Sequence, residues 1–451
     1  MATELDLQPR GNSAPRVAPL RAGKPMGREG SSNDLALAMQ AAALAADGDG
    51  PDLDELTDEL IATRRAAMPK LDIEVLDVVR PLGMGGQGGV WLGVDPTSGI
   101  RMAIKQIRKG RLTMLPKKAM TRALTERECL HDVGHHPFIT NCFATFQNDS
   151  SLFFCLELAP GGDLFGLLDT QPNGLPEHQA RFYCSCIALA LRHVHAHGWV
   201  YRDVKLENVL IDADGYIKIC DFGFAKKAAT SRTFTKCGTD EYAPPEVVSG
   251  RGRTCAADWW ALGILLHEML TGRPPFEGSS AEEVGALHAH SPRRLPSWPR
   301  WTCPDSPPPL SRPQVFQSIS DFSNGGQRAA EQLQDALLRT AEQISEQGAA
   351  FLMGLLKARE NERIGAGPAG FIQVQRHSWF DSTDWGAVLR KQVAAPWVPA
   401  IATDGAIEET TGIDFSREDV MLNRTYDTER WADTFREFGP YRTSRWPGDR
   451  A

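Results

Sequence analysis

The segment VYRDVKLENVLI, at 200–211, concentrates side chains that suit a phosphoryl-transfer reaction. Asp203 offers a carboxylate that can orient a hydroxyl group and accept its proton, and Lys205 offers a positive charge for the moving phosphoryl group. Asn208 and, in the next segment IKICDFGFAKK, Asp221 offer the oxygen ligands that Mg²⁺ prefers. Two acidic turns without a catalytic role are the alternative interpretation of these segments.

A glycine-rich run, LGMGGQGGVWLG at 82–93, is a second candidate for phosphate chemistry. Gly83, Gly85 and Gly88 have the spacing of a dinucleotide-binding turn, but the apolar flanks predict two antiparallel strands instead of a strand and a helix. A P-loop would need a Lys-Ser or Lys-Thr pair, which the run lacks. Extended through Val90, the run fits the hairpin that covers ATP in protein kinases. Taken alone, it leaves this hairpin and a plain glycine turn open.

A lysine and a glutamate lie between these two stretches. Lys105 is in RMAIKQI, whose alternation predicts a strand, and Glu126 is in TERECL, whose spacing predicts a helix. We expect Glu126 to meet Lys105 and to hold its ammonium at the α and β phosphates of a nucleotide. Either residue alone would be typical of a solvated surface. The order of all these features along the chain disfavours the acidic-turn interpretation.

In this order, the motifs resemble those of the eukaryotic protein kinases, and specifically the AGC group of serine/threonine kinases. The resemblance is closest to the cyclic-nucleotide-dependent kinases and rests on YRDVKLENVLI, DFGFAKK, FTKCGTDEYAPPE and HSWFDSTDWGAVLRKQVAAPWVP. It implies an α+β, bilobal protein-kinase fold. A small lobe with an antiparallel β-sheet and one key helix would face a larger, mainly helical lobe, and an AGC C-terminal tail would follow.

The resemblance also implies domain boundaries. We expect a kinase domain over 72–380, divided into a small lobe over 72–158 and a large lobe over 159–380, and a tail over 381–451. Residues 1–71 are expected to be an N-terminal extension, largely disordered with short helices. A proline-rich stretch and the helical pattern after it predict an insertion over about 291–345.

Matched position by position, the motifs imply ATP and Mg²⁺ as cofactors. The implied catalytic residues are Asp203, Lys205, Asn208, Asp221, Lys105 and Glu126, of which Asn208 and Asp221 would bind the metal. The residues implied around the nucleotide are Gly83, Gly85, Gly88, Val90, Ala103, Lys105, Leu156, Glu157, Ala159, Asp163 and Leu210. The implied reaction transfers the ATP γ-phosphate to Ser or Thr of protein substrates. A catalytically inactive kinase-fold scaffold is the alternative, and it predicts the loss of a catalytic residue, whereas all are present.

The substrate side of the cleft is implied in the same way. Asp163, Glu207 and Glu268 match acids that receive arginines before the phosphoacceptor, so substrates with basic residues there are expected. Lys236 and Asp240 occupy positions that form an apolar pocket in relatives. They would make that pocket more polar, and a solvated loop is the alternative.

The resemblance implies two regulatory features. Thr235 matches an activation-loop phosphothreonine, which makes an upstream activating kinase a candidate partner. The cationic positions that would receive its phosphate are Arg202, Lys226 and Arg122. Phe435 and Phe438 match a hydrophobic motif that docks on the small lobe. Residues 1–71 are too few for a cyclic-nucleotide-binding domain, so regulation by cyclic nucleotides would need a separate regulatory subunit.

The resemblance also implies a buried ion pair between Glu246 and Arg363, which would tie the activation segment to the large lobe. Near the N-terminus, the helical pattern PDLDELTDELIATRRAAM ends like a basic substrate with Ala67 in place of the phosphoacceptor. The chain between Ala67 and the first strand is too short to bring Arg64 and Arg65 to the substrate-binding acids of the same molecule. The favoured interpretation is that both arginines complement the helix dipole, and inhibition of one molecule by another is the alternative.

Composition limits the classes of partner. A net charge of −8 and a pI near 5.8 argue against a nucleic-acid binder, and 42% hydrophobic residues suffice for a buried core. No apolar stretch is long enough to span a membrane, and the nine cysteines form no C-x-x-C pair. We therefore expect no nucleic-acid partner, no membrane span and a cytoplasmic or nuclear location. The histidines of RHVHAHG are expected to be structural instead of metal ligands.

Overall fold

The computed structural model describes residues 52–85, 88–109, 117–228, 232–234, 240–275, 340, 343–367, 370–401 and 438–440. Thr235, Lys236, Phe435 and nearly all of the insertion expected over 291–345 lie outside these residues. The backbone at Asp240 is described and belongs to a short 3-10 helix, Asp240–Tyr242.

Five antiparallel strands form the sheet of the small lobe. They are β1 (Asp77–Gly85), β2 (Gly88–Val94), β3 (Arg101–Arg108), β4 (Cys142–Gln147) and β5 (Ser151–Glu157), in the spatial order β1-β2-β3-β5-β4. β1 and β2 pair antiparallel, which confirms the hairpin predicted for the glycine run and rules out a strand-to-helix turn there. Alternation along β3 buries Met102 and Ile104 completely, so Lys105 points to the opposite face of the sheet.

Helix α1 (Leu53–Ala66) confirms the helix predicted before the first strand. The side chain of Asp52 caps it by accepting a backbone N–H of the first turn at 2.8 Å. Leu53 and Leu56 are buried in the main core, and the two arginines of the TRRAAM stretch lie in the last turn. The helix is therefore packed on the folded domain.

One helix packs on the small lobe and the rest build the large lobe. Helix α2 (Lys117–Val133) contacts β4 and a 3-10 turn, Phe222–Phe224. The large lobe contains α3 (Leu164–Asp169), α4 (Glu177–Ala196), α5 (Pro245–Val248), α6 (Ala256–Thr271), α7 (Glu346–Leu355), α8 (Gly370–Gln375) and α9 (Trp385–Leu389). α6 is buried along most of its length because its sequence is apolar on nearly every face. α4 has polar residues near both ends and is buried through its apolar middle, from Phe182 to Leu191. The architecture is the expected bilobal α+β fold.

Two short antiparallel strand pairs flank the two predicted catalytic segments. One pairs β6 (Trp199–Val200) with β9 (Lys226–Lys227), and the other pairs β7 (Val209–Ile211) with β8 (Ile217–Ile219). The segments between these strands contain Asp203 and Asp221. The strand pairs therefore fix both ends of each predicted catalytic segment.

The predicted ion pair between Glu246 and Arg363 is confirmed. Arg363 Nη1 donates to Glu246 Oε1 at 2.9 Å and Nη2 donates to Oε2 at 3.1 Å, with both side chains buried. Arg363 also donates to the carbonyl oxygens of Ala256 and Lys357. Since removal of one partner would leave a buried charge, the pair links the helix after the activation segment firmly to α6.

Within the described ranges, no helix is both long and apolar enough to cross a membrane.

Candidate active site

Asp258, a buried acid of α6, positions the first catalytic segment. Its two carboxylate oxygens accept the backbone N–H groups of Tyr201 and Arg202, at 2.9 and 2.7 Å. Arg202 has a φ of 72°, a conformation that a non-glycine residue keeps only when its surroundings hold it there. The backbone that leads into Asp203 is therefore held in one orientation.

Asp203 lies between an amide and an ammonium. Asn208 Nδ2 donates to Asp203 Oδ2 at 2.7 Å, and Lys205 Nζ lies 3.0 Å from the same oxygen. Burial by itself lowers the pKa of Lys205, but the Asp203 carboxylate more than offsets this and raises it. The ammonium stays charged beside a carboxylate that is itself buried, and the structure brings these three predicted residues together.

The second cluster joins strand β3, helix α2 and the segment after β8. Lys105 Nζ lies 2.7 Å from Glu126 Oε1 and 3.3 Å from Asp221 Oδ1. Asp221 has a φ of 57° and accepts the backbone N–H of Gly223, so its carboxylate is turned toward the lysine. The predicted contact between Lys105 and Glu126 is confirmed.

Charge and burial shift the titration of this cluster. Burial by itself lowers the pKa of Lys105, but the carboxylates of Asp221 and Glu126 raise it above the ordinary value. The Lys105 ammonium, in turn, lowers the pKa of Asp221. Burial raises the pKa of Glu126 to about 7, against the opposing effect of Lys105. The cluster thus combines a permanent cation with an ionised metal-type ligand.

The donor set fits a nucleotide with magnesium. Asn208 uses its amide nitrogen for bonds to the side chain and the backbone carbonyl of Asp203, which leaves its oxygen for a cation. Asp221 adds a carboxylate, and Lys105 adds an ammonium suited to a phosphate. The described part of the chain holds no group of three or more His, Cys, Asp or Glu suited to a metal. The two oxygen ligands of Asn208 and Asp221 suit Mg²⁺, which usually takes its other ligands from phosphate and water.

Backbone pairing places the residues predicted around the adenine side by side. Val90 pairs with Lys105 across β2 and β3, and Ala103 pairs with Leu156 across β3 and β5. Leu210 of β7 forms an isolated bridge with Asp163. These residues therefore come from both lobes, and Leu156 leads directly into the hinge, which we define as residues 157–159 between β5 and α3.

Glycine has a packing role at one position of the hairpin. A Cβ at Gly88 would lie 1.9 Å from the carbonyl oxygen of Gln106, so only glycine allows this approach of β2 to β3. A Cβ at Gly83 would meet nothing within 4 Å, and Gly85 pairs with Gly88 at the end of the ladder. Packing therefore requires a glycine at position 88, whereas it does not require one at position 83.

The three acids predicted to bind basic residues influence one another electrostatically. Asp163 caps α3 by accepting a backbone N–H at 2.8 Å. Burial raises the pKa of Glu207, and the nearby charge of Asp163 adds to this effect. Burial also raises the pKa of Glu268 to about 7, with Glu207 adding to it, and the Tyr242 hydroxyl donates to Glu268. The region is electronegative and suited to a cationic ligand.

Two of the cations expected near a phosphorylated Thr235 converge on one turn. Arg202 Nε donates to the carbonyl oxygen of Phe224 at 2.6 Å, and Nη1 donates to Thr233 Oγ1 at 3.4 Å. The guanidinium of Arg122 lies 4.2 Å from the centre of the Phe224 ring. Since Thr235 itself lies outside the described residues, its modification stays a prediction.

The chain near its C-terminal end docks on the small-lobe sheet, as predicted for the hydrophobic motif. Phe438 is completely buried, and its ring meets that of Phe154 edge to face at 5.2 Å. Thr145 Oγ1 donates to the carbonyl oxygen of Phe438 at 2.7 Å. The docking of Phe438 is confirmed, while Phe435 lies outside the described residues.

Sequence reasoning missed two residues that support the site. Asp258 was not singled out, although a single acid in the apolar run AADWWALGILL was a signal that it is buried and bonded. The contact of Arg64 with the Glu157 side chain was also missed, and no local pattern could have indicated it. Both contacts join residues that are far apart in the chain.

Comparison with known proteins gives relatives for most of the chain. The protein kinase domain family matches residues 76–380. Ribosomal protein S6 kinase alpha-2 of Mus musculus is 33% identical over 350 residues, which cover 76% of this chain and 40% of that protein. Serine/threonine-protein kinase N2 of Danio rerio is 32% identical over 329 residues, which cover 72% of this chain and 29% of that protein. The chain therefore spans less than half the length of these relatives.

The matched range includes every residue of both catalytic clusters and both lobes of the fold. Both relatives are kinases by name, and the second is named a serine/threonine-protein kinase, in agreement with the AGC-type motifs of the sequence. This chain therefore belongs to the protein kinase family, with relatives among the AGC-group serine/threonine kinases.

Proposed function

We propose that this chain is an active serine/threonine protein kinase, which uses Mg·ATP to phosphorylate protein substrates. One observation carries the proposal. Lys105 contacts Glu126 and Asp221 at the same time, at 2.7 and 3.3 Å, while Asp203 is held in the neighbouring loop. An inactive scaffold would have no need to keep these groups paired at once.

Each residue has a role in this mechanism. Lys105, kept charged by Asp221 and Glu126, binds the phosphates of the nucleotide, and Asn208 and Asp221 would hold the metal. Mg²⁺, when bound, supplies charge neutralisation on the phosphate oxygens. Asp203 orients the substrate hydroxyl and accepts its proton. Lys205, whose ammonium is paired with Asp203, stabilises the negative charge that develops on the transferred group.

The adenine base of the nucleotide is proposed to bind between the two lobes, beside the hinge. Val90 and Ala103 line it from the small lobe and Leu210 lines it from the large lobe, while the backbone of Glu157 and Ala159 binds its edge. The pairing of Ala103 with Leu156 supports this assignment, since it sets the upper wall directly beside the hinge. A flat apolar slot with a polar edge suits an adenine ring.

The substrates proposed here carry arginines before the phosphoacceptor. The charge of Asp163 adds to the raised pKa of Glu207, and the charge of Glu207 adds to the raised pKa of Glu268, so the three acids form one acidic region. A guanidinium would relieve this repulsion between like charges. Lys236 and Asp240, which follow in the same family pattern, are proposed to disfavour a large apolar residue after the phosphoacceptor.

We also propose control by phosphorylation of Thr235, because Arg202 and Arg122 already meet at the turn beside that segment. An upstream kinase is then the expected partner. The motif resemblance to cyclic-nucleotide-dependent kinases supports the narrower proposal that a separate subunit could regulate the chain.

A peptide array tests the proposed substrate class. We expect phosphate transfer from labelled ATP to Arg-Arg-x-Ser peptides in preference to acidic peptides, with an efficiency that falls as salt rises. Asp221→Ala, the control for contaminating kinases, should abolish transfer to every peptide. Preference for acidic peptides would contradict the proposed role of Glu207 and Glu268.

A further inference from the structure

A cation of helix α1 contacts the hinge between the lobes. Arg64 Nη2 lies 3.1 and 3.0 Å from the two carboxylate oxygens of Glu157, the last residue of β5. The two side chains are 27% and 21% exposed, so the pair is half-buried. The arginine that could have mimicked a substrate therefore binds the hinge, away from the substrate-binding acids.

Glu157 is held by two further groups. Its Oε2 accepts the backbone N–H of Asn141 at 3.3 Å, and its Oε1 lies 3.2 Å from the ammonium of Lys218, whose side chain is completely buried. In return, the backbone N–H of Glu157 donates to the carbonyl oxygen of Asn141 at 2.8 Å. Helix α1, strand β8 and the turn before β4 thus converge on one hinge residue.

The opposite end of α1 is anchored in the large lobe. Leu53 and Leu56 are buried in the main core, and the helix packs against α9. Arg192 of α4 forms an ion pair with Asp54 in the first turn of α1. Because both ends are fixed, α1 works as a strut between the large lobe and the hinge.

We propose that Arg64 is a positioning residue for nucleotide binding, and that docked α1 fixes the orientation of the hinge backbone through the Glu157 side chain. This inference rests on the proposed function, in which the same backbone binds the adenine edge. An ion pair with this exposure has a modest free energy, so release of α1 weakens nucleotide binding and leaves the chemical step intact. Docking of α1 on the hinge therefore sets how tightly the site binds ATP.

The chain offers a matched control. Arg65, the next residue, is of the same type, lies in the same helical turn and is exposed. Within the described residues, it makes no ion pair with Glu157. Arg65→Ala therefore removes an equal charge from α1 without touching the hinge contact, and Arg64→Lys keeps the charge at the contact.

Hydrogen–deuterium exchange of residues 155–159, without nucleotide, reads the hinge directly, and calorimetry with Mg·ADP reads the affinity. For Arg64→Ala we expect faster exchange at the hinge, a Kd raised about fivefold, and an unchanged kcat at saturating ATP. Arg65→Ala should match the wild type in all three, and Arg64→Lys should recover most of the affinity.

Failure of this inference is distinguishable from failure of the proposed function. If the wild type binds Mg·ADP, unchanged hinge exchange and an unchanged Kd in Arg64→Ala would overturn the positioning role. The kinase assignment would still stand. A lowered kcat with an unchanged Kd would also contradict it. A wild-type chain that binds no nucleotide would overturn the proposed function, and the positioning role with it.

Discussion

The Lys105 ammonium and the Glu126 carboxylate are in direct contact at 2.7 Å, although they come from strand β3 and helix α2. Glu126 is 3% exposed and Lys105 is 23% exposed, so water screens the pair only weakly. Lys105 also reaches Asp221, at 3.3 Å. The position of α2 therefore determines whether the lysine is aligned with Asp221, the carboxylate proposed to bind the metal.

Glu126→Gln removes the charge of this contact and keeps its shape. We expect kcat/KM with a basic peptide to fall about a hundredfold, because Lys105 loses the partner that orients it for the phosphates. Glu128→Gln is the control, since Glu128 is exposed on the same helix. Steady-state kinetics compare the two variants, and an equal loss in both would contradict the assignment.

Basic-peptide recognition should depend on pH through Glu268. Burial raises the pKa of this carboxyl to about 7, with the charges of Glu207 and Glu241 adding to the effect and the Tyr242 hydroxyl opposing it. As the pH falls through 7, Glu268 gains a proton and loses its charge, so KM for an Arg-Arg-x-Ser peptide, measured at saturating ATP, should rise. Glu268→Gln should raise KM at high pH and flatten its profile, and an unaltered slope in that variant would refute the role of Glu268.

Buried histidines should make the fold sensitive to acid. His136 and His193 stack at 4.8 Å, and burial lowers both pKa values, that of His193 to about 3. Below about pH 6.5 the unfolded chain binds protons at these rings and the folded chain does not. Each ring therefore lowers the free energy of unfolding by about 1.4 kcal/mol for every unit by which the pH falls. Denaturant unfolding between pH 7 and 5 should show this slope reduced in His193→Phe and unchanged in His131→Asn, whose ring is 88% exposed. A steeper slope in His193→Phe would contradict the account.

Local patterns were enough to predict several parts of the site. The alternation around the glycine run predicted the β1–β2 hairpin, because period-two patterns act within a few residues. The contacts of Lys105 with Glu126 and of Glu246 with Arg363 followed from motifs that keep their spacing through the kinase fold. The burial of Phe438 followed from its match to the hydrophobic motif of the resembling kinases.

Contacts set by long-range packing could not be predicted in this way. The hydrogen bonds of Asp258 to the catalytic segment depend on how α6 crosses below it, and nothing near Tyr201 in the sequence specifies that crossing. The pair of Arg64 with Glu157 depends on where α1 docks, which follows from the burial of Leu53 and Leu56. Helix propensity predicted α1 itself but not its partner surface.

The central claim is that Asp203 serves phosphoryl transfer at a site that is already assembled. Single-turnover transfer to an Arg-Arg-x-Ser peptide, measured beside the Kd for Mg·ATP in the wild type and in Asp203→Asn, tests it most directly. We predict that transfer falls at least a thousandfold while the Kd changes less than about threefold, because the proton acceptor is lost and Lys105, Asn208 and Asp221 remain in place. Undiminished transfer by Asp203→Asn would contradict the mechanism.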